Sequence, residues 1–234
     1  MTQVYARNIM PITLLTGSVA PLAGSPATSA IAKTPAASPL WLGTDGLQGD
    51  AQADRRVHGG PEKAVHHYPL DHYTAWRTDL GALPLLDAPG AFGENISDLG
   101  MTEDRVAVGD IFRLGGALIQ VSQGRQPCWK LNHRFGVPDM ARRVQGTGRT
   151  GWYYRVLQPG MVAPGDDLQL IDRLAPEWTL RRLWRAMYVD RLNRAELEGI
   201  AALDVLAEGW RRHARRRLDS GRVEDWRPRL EGRT

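Results

Sequence analysis

Short apolar runs broken by glycine and proline dominate the chain up to about Asp172, a pattern typical of strands and turns. The clearest two, DIFRL and ALIQV, are separated only by Gly115-Gly116. Glycine tolerates the positive φ of two-residue turns, so this stretch predicts a tight hairpin. Further strands are predicted in GWYYRVLQPG and DLQLIDR, and helices over residues 70–80 and after Pro127 and Pro138. Together these elements predict a mainly β fold, a closed or nearly closed β-barrel that carries helices.

Helical spacing replaces this pattern in the tail. Apolar residues there recur three or four positions apart: Leu180, Leu183, Trp184 and Met187, then Leu197, Ile200 and Ala201, and finally Leu206, Trp210, Ala214 and Leu218. Asn193 with Glu196 resembles a capping box, and Asp204 is placed to cap the third segment. The sequence therefore predicts a β-barrel domain over residues 1–172 and a three-helix module within residues 173–234.

Composition narrows the class of protein. Hydrophobic residues make up 42% of the 234 residues, enough for a substantial core. The single cysteine excludes an internal disulfide framework, so we expect a cytoplasmic protein. The stretch MPITLLTGSVAPLAG resembles the apolar part of a signal peptide, but Pro11, Gly17 and Pro21 interrupt it and favour a strand. No apolar run approaches the roughly 20 residues that span a bilayer, so no membrane segment is predicted.

The one cysteine, Cys128, lies in the segment GRQPCWKLNHRFG. Pro127 suits the first position of a helix and Gly136 the residue after its end, so Cys128 is predicted in the first helical turn. There the helix dipole, Arg125 and Lys130 would favour the thiolate, which is the better nucleophile and soft-metal ligand. The alternative is a small buried hydrophobe, the commoner role of a lone cysteine.

Lysine is rare in this chain, and arginine supplies nearly every cation. The three lysines, Lys33, Lys63 and Lys130, all stand in loop contexts, SAIAK, HGGPEK and PCWK. An ammonium is a compact charge, whereas a guanidinium is a planar fork. The three lysines are therefore candidate binding residues.

Acidic and histidine side chains crowd the segment between Gly46 and Trp76. They are Asp50, Asp54, His58, His66, His67 and His72. A zinc site is disfavoured, because no His-Glu-x-x-His motif is present and the adjacent His66 and His67 would face opposite sides of a strand. His58, Gly59-Gly60 and Lys63 fit an anion-binding turn better. In FGENISDLG, Glu94 and Asn95 are placed either to meet a heterocycle or to cap a turn.

Three segments together are similar to the MOSC family, the domain shared with the C-terminal part of molybdenum cofactor sulfurase. They are GLQGDAQADRRVHGGPEKAVHHYPLDHYTAW, FGENISDLGMTEDRVAVGDIFRLGGALIQVSQGRQPCWKL and TGWYYRVLQPG. The tail, APEWTLRRLWRAMYVDRL through WRRHARRRL, resembles the three-helix module of the YiiM-type branch, the 6-N-hydroxylaminopurine resistance proteins. The resemblance implies a MOSC-type β-barrel followed by that module. It also implies a bound molybdenum cofactor (Mo-molybdopterin) and detoxification of N-hydroxylated compounds, hydroxylamino purines among them, by reduction to amines.

The resemblance implies roles for individual residues. Cys128 would be the protein ligand to molybdenum, and Asp50 and Glu94 would be catalytic candidates near the ring or the substrate. The candidates for holding the pterin and its phosphate are Lys33, His58, Lys63, Asn95, Ser122, Arg125 and Lys130. The branch's cysteine motif is expected to carry proline before the arginine, where this chain has Gly124, and the glycine would loosen the loop.

The source of electrons follows from the cysteine count. One cysteine committed to molybdenum leaves none to ligate an iron–sulfur cluster. Electrons would come from a separate flavin or iron–sulfur reductase. From residue 173 onward the chain contains fifteen arginines and ten acidic residues, so the tail is basic. We expect Arg181, Arg182 and Arg185 of this tail to help recruit an acidic electron donor.

Two other function classes stay open at this stage. One is a metal-free thiol enzyme in which Cys128 is the nucleophile and a histidine such as His58 is the base. The other is a cofactor-carrier or binding protein whose basic tail forms a nucleic-acid-binding module. The ten carboxylates interspersed in that tail disfavour nucleic-acid binding.

Overall fold

The computed structural model describes residues 12–53 and 59–232. In these ranges the strands are β1 (Thr13–Thr16), β2 (Ala20–Pro21), β3 (Thr28–Ser29), β4 (Thr34–Pro35), β5 (Leu40–Gly43), β6 (Gly46–Leu47), β7 (Val65–His67), β8 (Ile96–Ser97), β9 (Asp110–Leu114), β10 (Ala117–Gly124), β11 (Trp152–Gln158), β12 (Gly160–Val162) and β13 (Leu168–Arg173). The helices are α1 (Asp71–Leu80), α2 (Lys130–Phe135), α3 (Met140–Thr147), α4 (Leu180–Tyr188), α5 (Arg194–Ala202), α6 (Glu208–Ser220) and α7 (Arg227–Glu231). Short 3-10 turns cover Pro61–Lys63 and Pro84–Leu86.

Eight strands form one sheet in the order β13-β9-β10-β11-β7-β8-β1-β4. The sheet curls into a half-barrel, which confirms the predicted fold class. Ile12, just ahead of β1, meets the turn ahead of β13. Its N–H donates to the Asp166 carbonyl at 3.4 Å, and the Gly165 N–H donates to the Ile12 carbonyl at 3.2 Å. Backbone hydrogen bonds therefore bring the two sides of the sheet together at this end.

The predicted β9–β10 hairpin is present. Leu114 pairs with Ala117 across the turn. Of the two glycines only Gly115 adopts a positive φ, +52°, and a Cβ there would lie 2.5 Å from an Asp166 carboxylate oxygen. The predicted strands on either side are β11, which pairs with β10, and β13, which pairs with β9.

The tail forms the three predicted helices, α4 to α6, and one more. Asn193 caps α5 as expected, because its side chain accepts a hydrogen bond from Glu196 N at 3.2 Å. Asp204 does not cap α6. That helix begins at Glu208, and Asp204 instead pairs with Arg211 at 3.1 Å. The additional helix, α7, is only five residues long and carries no apolar periodicity that could have predicted it.

The half-barrel and the tail module share one hydrophobic core. Val121 of β10, Leu183 of α4 and Trp210 of α6 belong to the same buried cluster. Burial of each such side chain stabilises the fold by about 1.5–3 kcal/mol, so the module is held firmly on the sheet. A second cluster contains Phe92 and, from α7, Leu230.

Carboxylates engage the α4 arginines that were expected to recruit a donor. The pairs are Arg181 with Asp104 at 3.3 Å, Arg182 with Glu196 at 3.0 Å and Arg185 with Asp190 at 2.9 Å. Their charge is compensated locally, which weakens that expectation. Within the described ranges no helix is long and apolar enough to cross a membrane. The apolar stretch that resembles a signal peptide contains β1 and β2, and its first two residues lie outside the described part.

Candidate functional site

One cavity collects seven of the residues predicted to form a site. Its wall is formed by residues within four chain segments, 29–33, 50–53, 63–66 and 92–95, together with residues 125–130 and Tyr153 of β11. The predicted residues on its wall are Lys33, Asp50, Lys63, Asn95, Arg125, Cys128 and Lys130. Their positions in sequence span almost a hundred residues, so the curl of the sheet brings them together.

Cys128 is buried on this wall, with 9% of its surface exposed. It does not lie in the first turn of a helix, as predicted, because α2 begins only at Lys130. Gly136 does end α2 in the left-handed conformation, with φ +65°. Cys128 thus lies directly ahead of the helix, where its carbonyl accepts a hydrogen bond from Leu131 N at 3.0 Å. Burial lowers the pKa of Lys63, and the charge of Cys128 opposes that shift, so the two groups lie in each other's field.

Lys33 is fixed by a buried polar network. Its ammonium lies 2.6 Å from Asp50 Oδ2, which also accepts from Asn95 Nδ2 at 2.8 Å. Asp50 Oδ1 accepts from the Gly17 N–H at 2.8 Å, and Asn95 Oδ1 accepts from the His66 N–H at 3.1 Å. Burial lowers the pKa of Lys33, while Asp50 counteracts the shift. Asp50 and Asn95 are thus committed to holding Lys33 and the adjoining strands.

Arg125 carries unused hydrogen-bonding capacity. Its backbone N–H donates to the Gly151 carbonyl at 3.0 Å, and its side chain hydrogen-bonds to Tyr153. The guanidinium is buried with Nη1 unpartnered. A buried donor without an acceptor costs free energy, so Arg125 is arranged for an acceptor that enters the cavity.

Two further wall residues, His66 and Tyr153, were not predicted as site residues. Their rings lie 5.0 Å apart between centroids. Burial, and secondarily the charge of Arg125, lowers the pKa of His66 well below its usual range, so the imidazole is neutral. Burial also raises the pKa of Tyr153, so the phenol keeps its proton. Strand register brings them together, because Tyr153 of β11 pairs with His66 of β7.

His66 and His67 face opposite sides of β7, as predicted for adjacent residues on a strand. His66 lines the cavity, whereas His67 lies 3.0 Å from Asp98 and stacks on Trp152 with ring centroids 4.3 Å apart. No group of three or more His, Cys, Asp or Glu side chains suited to a metal ion occurs among the described residues.

Two predicted residues do not line the cavity. Glu94 is buried beneath it and accepts from Gly90 N at 2.7 Å, Phe92 N at 3.0 Å and Tyr73 Oη at 2.5 Å. It holds the turn ahead of Gly93, which is the capping role left open in the sequence. Ser122 Oγ lies 2.6 Å from the Glu62 carbonyl, to which it donates. His58 lies outside the described residues.

The loop before Cys128 is not loosened by its glycine. Gly124 is the last residue of β10, pairs with Trp152 and is buried. A Cβ at this position would lie 3.4 Å from the Trp210 ring, so the strand ends against the tail module. The position of Arg125 is therefore set by the sheet.

The charge of the cavity indicates the class of ligand. Lys33, Lys63, Arg125 and Lys130 contribute four cations to its wall, and Asp50 is the one carboxylate among its described lining residues. Charge-assisted hydrogen bonds are the strong ones, and a concave surface with this balance favours an anionic ligand.

Comparison with known proteins agrees with this geometry. The sequence model of the MOSC domain matches residues 54–169, and that of the YiiM-like, 3-alpha helix domain matches residues 178–221. Protein YiiM of Escherichia coli strain K12 is 40% identical over 224 residues, which cover 95% of this chain and 99% of that protein. The chain belongs to the MOSC family. The MOSC fold is also shared in detail, since the crystal structure of YiiM from Escherichia coli has a TM-score of 0.81 at 34% identity, covering 96% of this chain and 99% of that one.

Another MOSC relative is much longer. A protein of Gibberella moniliformis named "Reductase" is 41% identical over 186 residues, which cover 79% of this chain but only 31% of the fungal protein.

The crystal structure of YiiM from Geobacillus stearothermophilus has a TM-score of 0.76 at 35% identity, covering 90% of this chain and 99% of that one. The family and its two-part architecture are therefore established for this chain.

Proposed function

We propose that this MOSC protein is a molybdenum-cofactor-dependent reductase that converts N-hydroxylated compounds, such as hydroxylamino purines, to amines. The observation that carries the proposal is the cavity itself, in which one buried thiol shares the wall with four cations. Family membership and the fungal relative named "Reductase" support an oxidoreductase. The single cysteine favours a reducing compartment, and we place the protein in the cytoplasm as part of this proposal.

The residues present fit the cofactor. A thiolate is a soft ligand that suits a soft, redox-active metal, so Cys128 would hold the molybdenum. The unpartnered Nη1 of buried Arg125 would donate to an anionic oxygen or sulfur atom. Lys63, Lys130 and the buried Lys33 would balance the negative charge of the phosphate and the pterin dithiolene.

When bound, the cofactor supplies the two-electron chemistry that cleavage of an N–O bond requires. Conversion of a hydroxylamine to an amine and water also consumes two protons, which come from solvent. The protein's contribution is to bind and orient. His66 presents a neutral imidazole and Tyr153 a protonated phenol, so neither adds negative charge to the wall. The Lys33–Asp50 pair keeps one ammonium in a fixed position at the same wall.

Electrons must reach the site from outside the chain. An iron–sulfur cluster needs several thiolates, and this chain has one. A separate flavin or iron–sulfur reductase is therefore the partner we propose. The fungal relative that contains this region as 31% of its length bears the name "Reductase".

The experiment compares protein from a host able to make molybdenum cofactor with protein from a host that cannot. Reduction of a hydroxylamino purine with a chemical reductant is expected only for the first preparation. A metal-free thiol enzyme would turn over equally in both preparations and would overturn the proposal. Cys128→Ser from the competent host serves as the matched inactive variant.

A further inference from the structure

The chain immediately around Cys128 is held from outside the barrel. Arg229, in α7, contacts both residues that flank the cysteine. Its Nη1 donates to the Pro127 carbonyl, and its own carbonyl accepts from Trp129 N at 2.8 Å. Its Nη2 donates to Gln145 Oε1 at 2.6 Å, which fixes the guanidinium plane. One residue, about a hundred positions along the chain, thus anchors the backbone on either side of the thiol.

The segment that carries Arg229 is itself well anchored. Arg217 at the end of α6 is buried and binds Glu224 with two hydrogen bonds, of 3.0 and 2.7 Å, which turns the chain back toward the barrel. Leu230 is 3% exposed and packs in the second core cluster, and its carbonyl accepts from Asn132 Nδ2 at 2.9 Å. Residues 222–232 lie beyond both regions matched by the family models.

A second contact holds the same loop from the tail module. Gln126 Nε2 donates to Tyr188 Oη, at the end of α4, at 3.3 Å. Burial raises the pKa of Tyr188, and the charge of Arg229 opposes that shift, so the two groups are close to each other. Tyr188 also packs edge-on against Trp226, with ring centroids 5.3 Å apart. The tail module and α7 therefore approach the loop as one unit.

We infer that Arg229, assisted by Tyr188, is a positioning residue for Cys128, and that holding this loop is a function of the tail module together with α7. The inference rests on the proposed function in taking Cys128 as the cofactor ligand. A ligand must be held in place for tight binding, because any freedom of the free loop is lost when the cofactor binds.

The test uses the chain's single cysteine as its own reporter. The alkylation rate of Cys128 by a thiol reagent is measured on full-length apoprotein of wild type, Arg229→Gln, Arg229→Lys and Tyr188→Phe. Arg229→Gln is expected to react about tenfold faster, the effect of losing a hydrogen bond to a charged group. Arg229→Lys keeps a donor and should be partly rescued. The matched control is Arg227→Gln, on the same helix, since that side chain is 74% exposed and pairs with Asp225.

A urea series separates positioning from a general loss of stability. Opening of the loop alone exposes little surface, so the faster alkylation of Arg229→Gln should be independent of urea at low concentration. A rate that climbs with urea as steeply as global unfolding, or a rate equal to that of Arg227→Gln, overturns the inference. Release of cofactor from loaded Arg229→Gln should also be about tenfold faster. Faster alkylation with unchanged cofactor release would support Arg229 as a positioning residue but overturn Cys128 as the cofactor ligand. The two claims can therefore fail separately.

Discussion

Lys33 and Asp50 form a buried ion pair on the cavity wall, with the ammonium nitrogen 2.6 Å from Asp50 Oδ2. Both side chains are less than 10% exposed. Breaking one side of such a pair leaves an uncompensated charge in the interior, which is why it is costly. The pair therefore links the stability of the barrel to the charge of its proposed cofactor site.

Asp50→Asn should lower the free energy of unfolding by about 3 kcal/mol at pH 7, because Lys33 loses its partner. Burial already lowers the pKa of Lys33 below 10.5, and without Asp50 it falls further. Between the lowered pKa of Lys33 in the folded variant and its ordinary value of 10.5, the unfolded chain binds more protons than the folded chain. Stability therefore rises with pH in that window. Urea unfolding of the variant should show part of the loss recovered between pH 7 and 10.

The control for this prediction is the double variant Lys33→Met with Asp50→Asn. It removes both charges and should be more stable than Asp50→Asn alone. A loss of stability in Asp50→Asn that is the same at every pH would show that the ion pair is not the source of the effect. A double variant no more stable than Asp50→Asn would show the same.

Glu224→Gln should change the acid stability of the protein. Burial would raise the pKa of Glu224, but the hydrogen bonds from Arg217 and Trp226 outweigh it and lower the pKa from 4.5 to about 2. The carboxylate thus stabilises the folded state above pH 4.5, and this contribution is lost as the pH falls toward 2. Urea unfolding should show a wild-type advantage that is constant above pH 4.5 and disappears near pH 2. An advantage that persists at pH 2 contradicts the assignment.

Lys63→Met should weaken retention of the cofactor about tenfold, through loss of one charged contact at the cavity wall. The measurement is pterin content after extended dialysis of protein from a competent host. Arg194→Met is the matched control, because Arg194 is 78% exposed and pairs with Glu198 on the same helix, and neither residue is among those that line the cavity. Pterin content equal to wild type in Lys63→Met would remove Lys63 from the site.

Much of the fold could be predicted from local sequence patterns. The Gly115-Gly116 hairpin, the glycine that ends α2 and the Asn193 cap depend on residues within a few positions of one another, so they could be predicted. The rarity of lysine and of cysteine likewise pointed to four residues that line one cavity.

Long-range relationships could not be predicted in the same way. His66 and Tyr153 meet only through the register of β7 and β11. Glu94 is an acidic residue beside a glycine in the sequence, and only the fold shows that turn amides occupy its oxygens. Arg229 approaches Pro127 across about a hundred residues, from a helix with no apolar period. Such contacts depend on packing of the whole chain rather than on spacing.

The most direct test of the account is the molybdenum content of wild type and of Cys128→Ser, both purified from a host that makes the cofactor. A hydroxyl nearly matches a thiol in volume but is a poor ligand for a soft metal, so the variant should fold normally and lose the metal. Mass spectrometry should find about one molybdenum per wild-type chain and almost none in Cys128→Ser, with superimposable circular dichroism spectra. Equal molybdenum in both proteins, or none in either, would contradict the central claim that Cys128 holds a molybdenum cofactor in this cavity.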